Sequence, residues 1–201
     1  MDRNQRIKRN ILKKEIRQVV KTGKIGILPF LKKIKAKTIC EIGVDKGRFI
    51  KNMALCEPDL IVGIDPWNHE KIAFYDSPLD KLKIRYKKIL QWAGEQQFKV
   101  KIIRDYSINA VKLFPDKFFD FIYIDADHSY EAIKQDLKIW WPKTKKPGII
   151  AGHDYKKGAV SKRTKIRYGI YEAINEFVHK KKIKKNLYIT IGGMLSFLII
   201  K

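Results

Sequence analysis

Only two of the 201 residues are cysteines, Cys40 and Cys56. That excludes a disulfide framework. Cys40 lies inside an apolar run, as a buried, unreactive thiol would. No apolar stretch is long enough to span a bilayer, and the first residues are charged rather than signal-like. The expected compartment is therefore the reducing cytoplasm. Acidic residues are scarce, 21 against 44 Lys and Arg, for a net charge of +23. The excess is spread along the chain. It reads equally as a surface attracting phosphate-rich partners or as the imprint of A/T-rich codons, which favour Lys and Ile together. Also missing is the three-glycine fingerprint that cradles a dinucleotide pyrophosphate. What is present is enough apolar residue for one domain with a sizeable core.

Residues 1–23 place Ile7, Ile11, Leu12, Ile16, Val19 and Val20 at helical spacing, with basic residues on the rest of the wheel. Gly23 and Gly26 end that pattern. This segment, 1–35, is expected to be a basic helical extension. It either docks on the domain and roofs its cleft or lies on a membrane surface or RNA.

From Thr38 to the C-terminus the chain alternates. Strands are expected at 38–42, 60–65, 100–103, 119–125 and 148–153, with helices at 47–55, 78–93, 107–114, 130–141 and 168–180. In the helix 78–93, Leu79, Leu82, Tyr86, Ile89 and Leu90 are expected on one inward face. Two last runs, 187–191 and 194–200, flank the hairpin signal Gly192-Gly193. Alternation of this kind predicts a doubly wound, Rossmann-like sheet of seven strands. It is parallel apart from an antiparallel strand at the C-terminus, and spans 36–201.

The two best-marked polar clusters follow apolar runs. Phe119 to Ile124 ends in Asp125, Asp127 and His128. Ile149 to Ala151 ends in His153, Asp154 and Tyr155. If the two runs are neighbouring parallel strands, both clusters lie at the carboxyl edge of one sheet, where open α/β sheets bind ligands. Clustered carboxylates repel one another unless a proton or cation sits between them. On the first strand, Glu41 precedes Gly43, and Asp45 stands between Gly43 and Gly47. A carboxylate in this loop disfavours pyrophosphate and suits a ligand with a positive centre.

Glu41-Ile42-Gly43-Val44-Asp45-Lys46-Gly47 resembles the first motif of the class I S-adenosylmethionine-dependent methyltransferases. The resemblance extends from about Ala36 to the C-terminus. It implies S-adenosyl-L-methionine as cofactor, held by Glu41, Gly43, Asp45 and Gly47. Asp65 in Gly63-Ile64-Asp65-Pro66-Trp67 would accept from the ribose hydroxyls, with Trp67 beside it. Tyr106 and Ser107 follow the third strand, where the family holds the adenine, and Asp125 follows the fourth. Within the superfamily, 124–130 and 147–155 resemble the branch of macrocin-type sugar and small-molecule O-methyltransferases, and the cation-dependent catechol and caffeoyl-coenzyme A type. Mapped by position, that branch implies a divalent cation, Mn or Mg, on Asp125, His153 and Asp154. His153 stands where relatives have a carboxylate, and imidazole suits Mn, Fe or Zn better than Mg.

Asp125, His128 and His153 are the catalytic candidates, as metal ligands or with His128 or His153 as general base. The plainer alternative is that Asp127 and Ser129 cap the next helix and that His153 and Asp154 form a pair ordering their loop. His69, in the loop after Trp67, is expected to line the substrate mouth.

The expected activity is O-methylation of a hydroxyl on a sugar, glycan or other small polar acceptor. Two rivals stand beside it. One is an RNA-modifying methyltransferase using the basic helix and the Lys-rich loop 156–167, although the Asn/Asp-Pro-Pro-Tyr signature of base amino-group methylation is missing. The other is a non-catalytic module of a glycan-assembly complex.

Overall fold

A computed structural model describes residues 2–22, 26–68, 77–161, 164–191 and 195–201. His69 and the Gly192-Gly193 turn lie outside the described residues. In chain order the elements are α1 (Arg3–Thr22), α2 (Ile27–Lys33), β1 (Thr38–Ile42), α3 (Arg48–Ala54), β2 (Leu60–Ile64), α4 (Leu79–Gly94) and β3 (Lys99–Ile103). There follow α5 (Ser107–Ala110) with a 3-10 turn, β4 (Phe119–Ile124), α6 (Tyr130–Lys143), β5 (Thr144–Gly152), α7 (Ile170–Lys180), β6 (Leu187–Ile189) and β7 (Phe197–Ile200).

The seven strands form one sheet in the order β3-β2-β1-β4-β5-β7-β6. Strands β1 to β5 pair in parallel, whereas β7 runs antiparallel to both β5 and β6. The one antiparallel C-terminal strand is as expected, and it is slotted between β5 and β6. The sheet divides the core by strand period. Ile39, Ile61, Phe121, Tyr123, Ile149 and Leu198 face a cluster shared with α1, α2, α3 and α4. Cys40, Ile42, Val62, Ile122, Ile150 and Ile199 face the opposite cluster, shared with α6 and α7. Near-continuous apolar strands are what a parallel sheet covered on both faces requires.

Helix α1 packs over β5 and β6. Leu12, Ile16 and Val19 enter the same cluster as the sheet residues, each worth about 1.5–3 kcal/mol of burial. Glu15 is buried beside them and pairs with Lys33 of α2 at 2.7 Å. Ile7 and Ile11 do not join this face and are 50% and 47% exposed. The inward face of α4 is likewise narrower than its periodicity suggests. Leu82 and Ile89 are buried, but Leu79 and Leu90 are exposed, because they flank rather than lie on the line of contact. Among the described residues, no helix is long and apolar enough to cross a membrane.

Candidate active site

The site is built where β1, β2, β4 and β5 end. The loop after β1 turns through three left-handed residues, Gly43 (φ +93°), Asp45 (φ +46°) and Gly47 (φ +72°). Gly43 is required by the sheet itself. A Cβ there would stand 2.1 Å from the carbonyl oxygen of Asp125, and its N–H donates to the Ile64 carbonyl at 2.8 Å. The loop after β1 is therefore pressed between the ends of β2 and β4.

Asp65 is buried at the end of β2. Its Oδ2 accepts the Asp45 N–H at 2.9 Å and its Oδ1 accepts the Trp67 N–H at 2.7 Å. The Trp67 indole N–H donates to the Asp45 carbonyl at 2.9 Å, so the first two loops are laced together. Arg85 of α4 pairs with the Asp45 carboxylate at 2.5 Å. Trp67 is fully buried against Tyr86, whose ring the Arg104 guanidinium covers. Of the expected cofactor residues, Gly43, Asp45, Asp65 and Trp67 are thus held together, with Glu41 buried near the end of β1 and Gly47 at the start of α3. Asp65 braces the loop after β1, and Trp67 packs against that loop rather than standing open to a ligand.

Tyr106 and Ser107 lie at the start of α5, beyond β3. The Tyr106 hydroxyl is buried without a protein partner, a polar atom suited to meet a bound ligand. The Ser107 hydroxyl donates to Asp136 of α6. Asp136 carried no signal in the sequence. Burial first, and the charge of Asp127 after it, push its carboxyl up to about 7 against the pull of Ser107.

The second constellation follows β4 and β5. Asp125 is fixed by its N–H donating to the Ile42 carbonyl at 2.7 Å. His153 hydrogen-bonds Asp125 through Nε2, and its Nδ1 lies 3.0 Å from Asp154 Oδ2. His128 crosses His153 edge-to-face, its Nε2 3.6 Å from Asp125 Oδ1 and its Nδ1 3.8 Å from Asp154 Oδ2. Tyr168 also meets the His128 ring edge-to-face. All four side chains are at least three-quarters buried.

Burial would lower the His153 pKa. The bonds to Asp125 and Asp154 outweigh it and raise the pKa to about 9. At neutral pH His153 is therefore a cation held between two carboxylates. Asp154 is likewise held below the usual carboxylate range: burial opposes this, but His153 and then His128 overcome it.

The structure brings together every catalytic and metal candidate after β4 and β5, but it regroups them. The donor atoms that lie within 4.8 Å of one another belong to Asp125, His128 and His153. Asp154 sits on the Nδ1 side of both rings and orients them. Two imidazoles and one carboxylate suit a borderline transition metal, so the donor set fits Mn better than Mg. The capping alternative also holds locally: Ser129 caps α6 by accepting from the Ala132 N–H, and Asp127 accepts from the Ser129 N–H at 2.8 Å.

A glycine-turned loop after the first strand and an acid at the end of the second are joined to a polar pair at the fourth and fifth strand ends. Together they define a class I methyltransferase architecture. The methyltransferase-domain family profile matches residues 40–155, and the chain belongs to that family. It is an S-adenosylmethionine-dependent methyltransferase.

Among solved structures, the chain is similar to an O-methyltransferase from Bacillus cereus in complex with S-adenosylhomocysteine. The TM-score is 0.61 at 13% identity, covering 100% of this chain and 92% of that one. It is also similar to an S-adenosylhomocysteine-bound methyltransferase from Podospora anserina (TM-score 0.60, 16% identity, 87% and 76% covered). A third is a putative caffeoyl-CoA O-methyltransferase from Staphylococcus aureus (TM-score 0.56, 16% identity, 87% and 83% covered). No curated protein sequence matches.

Proposed function

We propose that this enzyme transfers a methyl group from S-adenosylmethionine to a hydroxyl of a sugar, glycan or other small polar acceptor, with a divalent cation held by Asp125, His128 and His153. The observation that carries the reading is the position of these three donors at the strand ends, with Asp125 in backbone contact with the cofactor loop at Gly43. The O-methyltransferase neighbours support oxygen as the attacking atom.

In the transfer, the acceptor oxygen attacks the S-methyl carbon in line. The new C–O bond forms as the C–S bond breaks, S-adenosylhomocysteine leaves, and the hydroxyl proton must be removed. When bound, the cation would lower the pKa of a coordinated hydroxyl. The protein's own part is alignment. Asp125 ties the reaction edge to the cofactor loop, and Asp154 fixes the imidazole orientation. To ligate a cation His153 would have to give up its proton; as a cation held between Asp125 and Asp154 it cannot accept one, which leaves His128 as the metal-free candidate for general base.

Methyl transfer to vicinal-diol glycosides, assayed before and after exhaustive chelation, tests the proposal. Loss of turnover on chelation, with Mn²⁺ restoring it more fully than Mg²⁺, is expected. Undiminished turnover would remove the cation and leave His128 as base. No transfer to any small hydroxyl acceptor would overturn the acceptor class.

A further inference from the structure

The end of the molecule opposite the reaction edge carries a feature that methyl transfer does not use. Arg6, Arg9, Asn10 and Lys13 of α1 and Lys185 before β6 line a surface cleft of about 280 Å³. Arg9 Nη2 donates to the buried Asn186 at 3.0 Å, while its Nε is buried with no hydrogen-bond partner. Asn186 immediately precedes β6, and β6 runs in the same direction as β1. The cleft therefore lies at the amino edge of the sheet. The far end of α1 meets the opposite edge, where Ile191 N–H donates to the Val20 carbonyl at 2.7 Å.

Helix α1 carries eight Lys or Arg residues and one carboxylate, Glu15. Glu15 is buried and engaged by Lys33, so it does not offset the outer face. A codon bias would scatter cations without regard to carboxylates. Here the helix's only acid is turned inward. Ile7 and Ile11, one turn apart, remain about half exposed on the same helix. They are apolar residues that the domain core leaves unused.

We infer that this amino-edge face of α1, with its cleft, docks on an anionic phospholipid surface. Lipid phosphates would sit against Arg6, Arg9, Lys13 and Lys185, and Ile7 and Ile11 would enter the headgroup boundary. Charge complementarity selects an anionic surface. The exposed isoleucines select lipid over nucleic acid, since α1 offers no aromatic ring on which a base could stack. The arrangement is that of an interfacial helix, and it leaves the reaction edge uncovered.

Co-sedimentation of the full chain tests this, using vesicles of phosphatidylcholine with about one-third phosphatidylglycerol against vesicles of phosphatidylcholine alone. Binding to the anionic vesicles only, weakened by salt, is expected. The triple variant Arg6→Gln, Lys13→Gln, Lys185→Gln should bind about a hundredfold more weakly, at about fivefold per cation. Ile7→Asn with Ile11→Asn should weaken binding further at unchanged charge. Both sets lie on the surface, and unchanged thermal melting would confirm folding. A control triple on α4, Lys83→Gln, Lys87→Gln, Lys88→Gln, should bind as the native chain does.

An equal loss in that control would mean that net charge alone drives adsorption and would overturn the assignment, as would absence of vesicle binding. Binding of a structured RNA that depends on Arg6, Lys13 and Lys185 but not on Ile7 and Ile11 would also overturn it, in favour of a nucleic-acid surface.

Discussion

The carboxylate of Asp65, at the end of the second strand, accepts the backbone N–H of Asp45 in the loop after the first, at 2.9 Å. Its other oxygen accepts Trp67 N–H. An acid expected to hold ribose therefore also braces the loop expected to hold the cofactor. Asp65→Asn presents an amide N–H₂ to one of these two donors. It is expected to destabilise the cofactor-free protein by about 1–3 kcal/mol, a fall of about 2–12 °C in melting temperature, and to weaken S-adenosylhomocysteine binding as well. Calorimetric binding together with melting of the free enzyme separates the two effects. An unchanged melting temperature with weakened binding would show that Asp65 serves the ligand alone.

How much of this could be read from the chain follows from how local each signal is. The strands were legible because 39–42, 61–64 and 119–124 are mostly apolar runs ending in polar turns, and the polar residues that end them gather at one edge of the sheet. The bracing role of Asp65 was not legible, because hydrogen bonds to backbone across 20 residues leave no mark on sequence spacing. Nor was Arg85, whose partner Asp45 lies 40 residues away. Helical spacing identified the amphipathic nature of 1–23. It could not say that Ile7 and Ile11 would miss the core, since a helix wheel gives the width of an apolar stripe but not the width of the surface receiving it. Asp125 and Asp154 each lie against both His128 and His153, and ring orientation rather than residue order separates ligand from orienter.

Gly43 gives a second test of ligand against scaffold. A side chain there meets the Asp125 carbonyl before it meets any cofactor, and the residue sits at φ +93°. Gly43→Ala is expected to cost on the order of 2–4 kcal/mol of stability in the absence of any ligand, measured by urea denaturation. A variant as stable as the native chain but unable to bind S-adenosylhomocysteine would show that the glycine clears space only for the cofactor.

The donor set makes a demand on pH. Because His153 is protonated up to about pH 9, a metal must displace that proton. Mn²⁺ affinity should therefore rise with pH, with about one proton released per ion near neutrality. Calorimetry in buffers of different ionisation enthalpy counts that proton. His128→Gln should weaken Mn²⁺ binding about 10-fold to 1000-fold through loss of a ligand. Asp154→Asn, which removes an orienting group, should cost about 10-fold to 100-fold. The reverse ranking would restore Asp154 as ligand in place of His128.

Asp136 provides a measurement independent of both cofactor and metal. It is buried on α6 with the Ser107 hydroxyl as its hydrogen-bond partner, and its carboxyl titrates near 7 in the folded protein against about 3.9 in an unfolded chain. Between those values the native state binds a proton that the unfolded state has released. The stabilising contribution is thus complete below about pH 4 and is lost as pH rises through about 7. The full loss is on the order of 4 kcal/mol, reduced by whatever relaxation admits water to the site. Asp136→Asn removes the ionisation while leaving a group able to bond Ser107. Its stability relative to the native sequence should increase from about pH 4 to about pH 8, the two urea denaturation series diverging through neutrality. Parallel series across that range would mean that Asp136 is already ionised at low pH in the folded protein, compensated by a group other than Ser107.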